Sequence, residues 1–267
     1  MIIPLQFSIG ILSWNGYDSL QNSLETYKKN GLSKLTNHRF ICLPEYKKEG
    51  IEISKSYGYE PILIKENLGI LGGFKALVEK MPLGPILLLE NDLPLIEDQT
   101  ETYNQISKSI DFLLQKKVIQ VRLRSRSNPG EPFVGLSKYN DIWSENILST
   151  FKRKLRPIKA KKLIGTSVYA LQNPDLRHPK YVTKLSSGFY SVESNVLNWA
   201  NLAILVDKKN FLNIIIKRAE LVKSSKKING FKNIEVELNG LWWRQQKFEI
   251  VLAPGLFTHY RLSGRGY

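Results

Sequence analysis

Apolar residues in this chain fall into short runs that alternate with stretches of helical period. Phe7–Ser13 (FSIGILS), Arg39–Leu43 (RFICL), Pro61–Lys65 (PILIK) and Pro85–Pro94 (PILLLENDLP) predict strands, the last a fully buried one. After the polar turn Trp14–Tyr17, the residues Leu20, Leu24 and Tyr27 recur at helical spacing. Asp18 or Ser19 supplies a cap there, and Asn30-Gly31 a stop. Pro44–Gly50 predicts a polar loop and Ile51–Tyr57 a short helix. Asn67–Gly73 (NLGILGG) predicts a glycine-rich loop that opens a helix through Phe74, Leu77, Val78 and Met81. Strand, loop and helix in alternation predict parallel pairing with helices on the sheet faces.

The second half is less regular. A helix runs from Asp98 to about Lys117, with Ile106, Ile110 and Leu113 on one face, and Val118–Leu123 (VIQVRL) predicts a strand. Ser125–Gly135 reads as loop, and Asp141–Lys162 shows no assignable pattern. Thr166–Leu171 predicts a strand, Gln172–Lys180 a loop, and Val206–Lys223 a helix starting near Asp207. Glu237–Gln246 predicts a further helix, and Phe248–Ala253 (FEIVLA) a late strand before the tail LFTHYRLSGRGY. No internal repeat or low-complexity linker interrupts the chain, so one domain spanning residues 1–267 is expected.

Candidate chemistry concentrates where the strand 85–94 ends, in Glu90-Asn91-Asp92. Open α/β sheets bind ligands outside the carboxyl ends of their strands. Two carboxylates aimed at one point there suit Mg²⁺ or Mn²⁺, which bridges nucleotide phosphates. A solvated acidic turn is the plainer alternative. The glycines of NLGILGG would let the backbone approach a phosphate at a helix N-terminus. The stretch lacks both the P-loop Gly-Lys-Ser/Thr and the dinucleotide spacing, and tight strand–helix packing accounts for it equally well.

Charge narrows the partners. Lys and Arg number 39 against 24 Asp and Glu, a net charge of +15, which favours nucleotides, nucleic acid or an anionic membrane surface. Lys152–Lys162 (KRKLRPIKAKK) holds seven cations in eleven residues. It fits a solvated face, or a surface for anionic lipid or a lipid-diphosphate acceptor. No nucleic-acid fold signature accompanies it, so nucleic acid is not expected. Arg122, Arg124 and Arg126 alternate along a strand and its exit, which puts them on one face. They suit a diphosphate or an acidic sugar, or form the polar face of an edge strand. A hydrophobic share of 42% excludes a disordered chain. Cys42 is the sole cysteine, so no intrachain disulfide forms, and a buried thiol in a reducing compartment is expected. MIIPLQFSIGILSW carries no basic leader and no run is long enough to span a bilayer. A cytoplasmic protein, with peripheral membrane contact open to it, is the expectation.

Four pieces stand in the order and spacing of family 2-like glycosyltransferases of the GT-A fold. SIGILSWNGYDSLQNSLETY resembles their opening strand, turn and helix. ENLGILGGFKALVE resembles their Asn-x-Gly…Gly loop and helix, and LLLEND their DxD-type metal motif. EVELNGLWWRQQKFEIVLAPGLFTH, from Glu235 to His259, resembles their late acidic helix, strand, proline and histidine. Two departures stand out: Glu90-Asn91-Asp92 replaces the commoner Asp-x-Asp, and the Gln-x-x-Arg-Trp of processive members is missing.

The resemblance implies a Rossmann-like α/β domain with a mostly parallel central sheet flanked by helices. Residues 1–120 would bind a nucleotide sugar, UDP-linked by preference, and residues 121–267 a glycan or lipid-linked acceptor. Mn²⁺ or Mg²⁺ would sit on Asp92, with Glu90 holding ribose or metal waters and His259 completing the metal shell. Ser13, Trp14, Asn15, Glu45, Asn67, Gly72, Gly73, Glu90 and Asn91 would line the nucleotide-sugar site. Arg122, Arg124 and Trp242 would face acceptor or phosphate. Glu235 would be the general base of an inverting, non-processive transfer, and Glu237 its runner-up; an exposed helix N-terminus explains either acid otherwise. The rival function is a non-catalytic basic module of the same fold that binds nucleic acid or an anionic membrane.

Overall fold

The computed structural model describes residues 4–115, 118–223, 227 and 230–262. Its organising unit is one sheet. The strands are β1 (Ser8–Leu12), β2 (Arg39–Pro44), β3 (Glu60–Ile64), β4 (Pro85–Glu90) and β5 (Val118–Arg124). The rest are β6 (Val182–Lys184), β7 (Tyr190–Glu193), β8 (Ile204–Asp207) and β9 (Glu249–Phe257). They lie in the order β3-β2-β1-β4-β8-β5-β9-β7-β6. β1 to β4 pair in parallel, as do β5 and β9. Of the nine described strands only β7 and β8 run against the rest.

Strand alternation divides the core between the two sheet faces. Cys42, Ile86 and Leu88 point to one face, where the helix Gly69–Lys80 lays down Phe74, Leu77 and Val78. Ile9, Ile41, Leu87 and Leu89 point to the other, under Leu20, Leu24 and Tyr27 of the helix Tyr17–Lys29 and Ile106 of Gln99–Leu114. This burial on both faces is why the β4 run is continuously apolar. Gly10 permits the first packing, since a Cβ there would stand 2.7 Å from Met81 Sδ. Cys42 is fully buried, and burial pushes its thiol up to about 12, so it serves as a small hydrophobe.

The structure corrects several expected elements. The helix expected from Val206 is preceded by β8, which inserts antiparallel between β4 and β5; Asp207 caps the helical turn after it by accepting from Asn210 N at 2.9 Å. Thr166–Ala170 is helical, not strand. Residues 141–162 hold the helices Ile147–Leu155 and Pro157–Lys161, following Val134–Trp143. The late helix is two, Ile234–Leu238 and Leu241–Gln246, parted at Asn239-Gly240. Gly16, not Asp18 or Ser19, is the cap of the first helix, and the second runs Lys48–Ser56. The helix after Asp98 ends at Leu114; Lys117, the start of the chain at 1–3 and the end at 263–267 lie outside the described residues. Among the described residues no helix is long and apolar enough to cross a membrane.

Candidate active site

The carboxyl ends of β1, β2, β4, β5 and β9 point the same way, and the singled-out residues of those strands gather there. The register pairs Leu12 with Glu90, so Ser13 to Gly16 run beside Asn91 and Asp92. The turn bearing the acids is held by the first helix. Ser23 Oγ, Tyr27 Oη and Asn30 Nδ2 donate to the carbonyls of Asn91, Leu93 and Leu95 at 2.8, 2.7 and 3.1 Å. Residues three or four apart on a helix thereby meet every second carbonyl of an extended segment. Asn91 Nδ2 donates to the Gly16 carbonyl at 2.9 Å; a Cβ on Gly16 would sit 2.1 Å from that nitrogen and would displace the Asn91 amide.

Asp92 is fully buried. Its Oδ2 accepts from His259 Nε2 at 3.1 Å and from Arg261 Nε and Nη2 at 2.9 and 2.6 Å. Burial alone would raise the carboxyl, but His259 and Arg261 outweigh it and hold Asp92 below the usual carboxylate range. His259 Nδ1 lies 2.6 Å from the Glu131 carbonyl. The loop that supplies that carbonyl is clamped by Arg124, whose Nε and Nη2 donate to the carbonyls of Pro129 and Gly130 at 2.6 and 2.9 Å. Gly130 (φ 68°) is required here, because a Cβ would meet the His259 carbonyl oxygen at 2.1 Å.

Glu90 closes β4 and is half-buried. Burial first, then the charges of Asp92 and Glu235, push it up to about 8, opposed by Arg261. Glu235, on the helix Ile234–Leu238, thus stands near enough for its charge to act on Glu90. Its own carboxyl is raised by burial, against the Asn201 N–H that donates to Oε1 at 3.0 Å and the charges of Arg122 and Arg124. Asn239 fastens this segment: Trp199 N donates to its Oδ1 at 2.6 Å, and its Nδ2 donates to the Trp199 carbonyl at 3.1 Å. Glu237 is buried and neither carboxylate oxygen has a hydrogen-bond partner.

The remaining singled-out residues divide. Trp14 Nε1 donates to Glu45 Oε2 at 2.6 Å, joining the ends of β1 and β2. Ser13 Oγ, Asn15 Oδ1 and Asp92 Oδ1 are buried without hydrogen-bond partners. Asn67 Oδ1 accepts from Gly69 N at 2.8 Å, where the helix begins. Gly72 and Gly73 thus lie in that helix and not in a loop, and Gly73 is buried against Leu12. Arg122 and Arg124 are buried on β5, an interior strand, so neither forms an edge face. Arg122 donates to the Asn198 carbonyl, and Arg124 also stacks 4.0 Å from the Phe133 ring centre. Trp242 packs against Phe248, with Arg218 over its ring. Sequence reasoning missed Arg261, Asn201 and Asn239; Arg261 stands two residues from His259, and strand-like alternation is the signal that could have found it.

This donor set does not fit a divalent ion as it stands. Oδ2 of Asp92 already takes three N–H donors, and burial and the neighbouring acids favour the protonated form of Glu90. Among the described residues no three His, Cys, Asp or Glu side chains gather to hold a metal. Of Glu90, Asp92 and His259, expected as a metal shell, Asp92 is bonded to His259 and to the Arg261 guanidinium.

No family model and no curated protein matches the chain. Among solved structures it is similar to residues 1–349 of TarS from S. aureus, at 10% identity and a TM-score of 0.49, covering 96% of this chain and 60% of that one. It is also similar to the mannosyltransferase PcManGT from Pyrobaculum calidifontis in complex with GDP-Man and Mn²⁺, at 7% identity and a TM-score of 0.38, covering 46% and 36%. A third is a cytidylyltransferase from Leptospira borgpetersenii serovar Hardjo-bovis, at 16% and 0.35, covering 47% and 56%. The matches span less than two thirds of each of those chains. They assign neither a residue nor a reaction.

Proposed function

We propose that the protein transfers a sugar from a nucleotide-sugar donor to an acceptor hydroxyl, with Glu235 as general base. The observation that supports this is the set of buried, unpartnered atoms at the strand ends, Ser13 Oγ, Asn15 Oδ1 and Asp92 Oδ1, beside Glu90, whose proton affinity the charge of Glu235 helps to raise. Buried polar atoms left unpaired in a folded protein call for a ligand or water. Residues 1–120 supply the donor side, through Trp14, Asn15, Glu45 and Asn91, and residues 121–267 supply the acceptor side and the base. A UDP-sugar and a glycan or lipid-linked acceptor are the classes we favour.

Glu235 accepts the proton of the acceptor hydroxyl as that oxygen attacks the anomeric carbon, and the nucleoside diphosphate leaves with the bonding pair. Its raised proton affinity makes it the stronger base. One base and one direct displacement invert the anomeric configuration. The negative charge of the leaving group develops near the Arg261 guanidinium that already stands at Asp92. No step is assigned to a metal. The test is a panel of nucleotide sugars, with transfer and hydrolysis followed by NMR. Wild type should yield product of inverted configuration, and Glu235→Gln should lose it while still binding UDP. A retained configuration, or no donor turned over by wild type, refutes the reading.

A further inference from the structure

The helix Ile147–Leu155 wears its large apolar side chains on the outside. Ile147, Leu148, Phe151 and Leu155 are 88%, 72%, 59% and 64% exposed, and Ile158 in Pro157–Lys161 is 76% exposed. At about 100° per residue, the first four fall within an arc of about 100°. The opposite side is fixed to the protein. Ser149 is buried and its Oγ donates to the Asp141 carbonyl at 2.8 Å. Arg153 donates to the carbonyls of Ile142 and Ser144 at 2.8 and 3.2 Å, with its guanidinium 5.3 Å from the Trp143 ring centre. These contacts set the helix rotation, and with it the outward direction of the apolar arc.

Charge frames that arc. Lys152 and Lys154 fall on its two flanks, and Arg156, Lys159, Lys161 and Lys162 continue the basic surface. No Asp or Glu occurs between Glu145 and Asp175. The nearest acids are engaged: Asp141 pairs with Lys152, and Glu145 with Arg177 at 3.7 Å. A narrow exposed apolar strip, bordered by lysines long enough to reach past it, is the form of a helix that lies in the plane of a lipid interface. A soluble protein partner would meet a rim with one sign of charge, and nucleic acid has no use for five aliphatic and aromatic side chains.

We propose that this face docks on an anionic bilayer, with Ile147, Leu148, Phe151, Leu155 and Ile158 among the acyl chains and the flanking cations on headgroup phosphates. The inference rests on the two helices alone, independently of the reaction proposed above. It is tested by co-sedimentation of the full chain with vesicles of phosphatidylcholine, and of phosphatidylcholine mixed with phosphatidylglycerol. Binding is expected to the mixed vesicles only and to weaken as salt rises. Lys154→Ala and Arg156→Ala should each weaken it about fivefold. Leu148→Ser combined with Phe151→Ser should abolish it with an unchanged melting temperature, both sites being exposed. Leu148→Cys carrying an environment-sensitive dye should shift its emission to the blue on mixed vesicles, Cys42 being buried. Equal binding to neutral vesicles, or mixed-vesicle binding unaffected by the apolar pair, overturns the proposal. So does a dimer in vesicle-free buffer that the apolar pair dissociates, or equally salt-sensitive retention on single-stranded RNA lost in the same variants.

Discussion

Removing Arg261 tests how the acidic centre is neutralised. Its Nε and Nη2 both donate to Oδ2 of a carboxylate with no solvent exposure, while its own side chain is 36% exposed. Breaking a fully buried pair costs about 3–5 kcal/mol. Here water reaches the arginine end and His259 keeps its bond, so we expect Arg261→Ala to cost about 2 kcal/mol. For a chain near this size that lowers the melting temperature by about 4–8 °C. The variant also frees Oδ2 for another cation. At a hundred times its dissociation constant, Mn²⁺ would restore about 2.7 kcal/mol, offsetting the loss. The assay is a thermal melt in EDTA and in MnCl₂. Wild type should melt at the same temperature in both; Arg261→Ala should melt lower in EDTA and recover in Mn²⁺; Arg261→Ala with Asp92→Asn should not recover. Asp92 is held below its ordinary range, so its stabilising contribution is present above the unfolded pKa and is lost as pH falls through the folded one. Arg261→Ala should move that acid loss to higher pH. If Mn²⁺ raises wild type as much as the variant, Arg261 is no barrier to a metal and the reasoning fails.

Glu235→Gln should lower the transfer rate by roughly a hundred- to ten-thousand-fold with donor affinity kept, read by initial rates and UDP calorimetry; an intact rate removes Glu235 as base. Glu237→Met should instead stabilise the fold by about 1–2 kcal/mol in urea titrations, because it replaces a buried carboxylate whose two oxygens have no partner. Glu90 is raised to about 8, so the unfolded chain releases this proton first and stability should fall as pH rises from about 5 to about 8. Glu90→Gln should remove that fall, followed as urea midpoints across the same range. Asn239→Ala leaves the backbone N–H and carbonyl of Trp199 without their partner and should cost about 1–3 kcal/mol. It should also reduce kcat more than donor affinity, since Asn201 and Glu235 are held by the same segment.

The first ninety residues were largely legible because their strands are buried on both faces and announce themselves as apolar runs between glycine and proline stops. Glu90 and Asp92 were found for the same reason: the run ends, and the fold class says what lies beyond its end. β8 was missed because ILVD feeds directly into a helical turn, and Asp207 reads as a cap whichever element precedes it. β6 and β7 are three and four residues long and partly exposed, too short for period-two alternation to register. The glycine-rich stretch misled in the opposite direction, since glycine marks close packing and close approach to a ligand with the same letter. Which oxygen of Asp92 is taken, and by what, depends on residues 167 and 169 positions away, a distance no local pattern spans.

The order β4-β8-β5 also sets a timetable for the chain as it is made. β1 to β4 can pair as soon as residue 90 has emerged, leaving β4 with an open edge of unbonded backbone. That edge is covered only when Ile204–Asp207 arrives, more than a hundred residues later, and β5 and β7 wait longer still for β9 between them. A nascent chain therefore carries an exposed apolar strand edge through much of its synthesis, the condition under which strands recruit wrong partners. Loss of β9 would not trim the sheet at a margin; it would part β5 from β7.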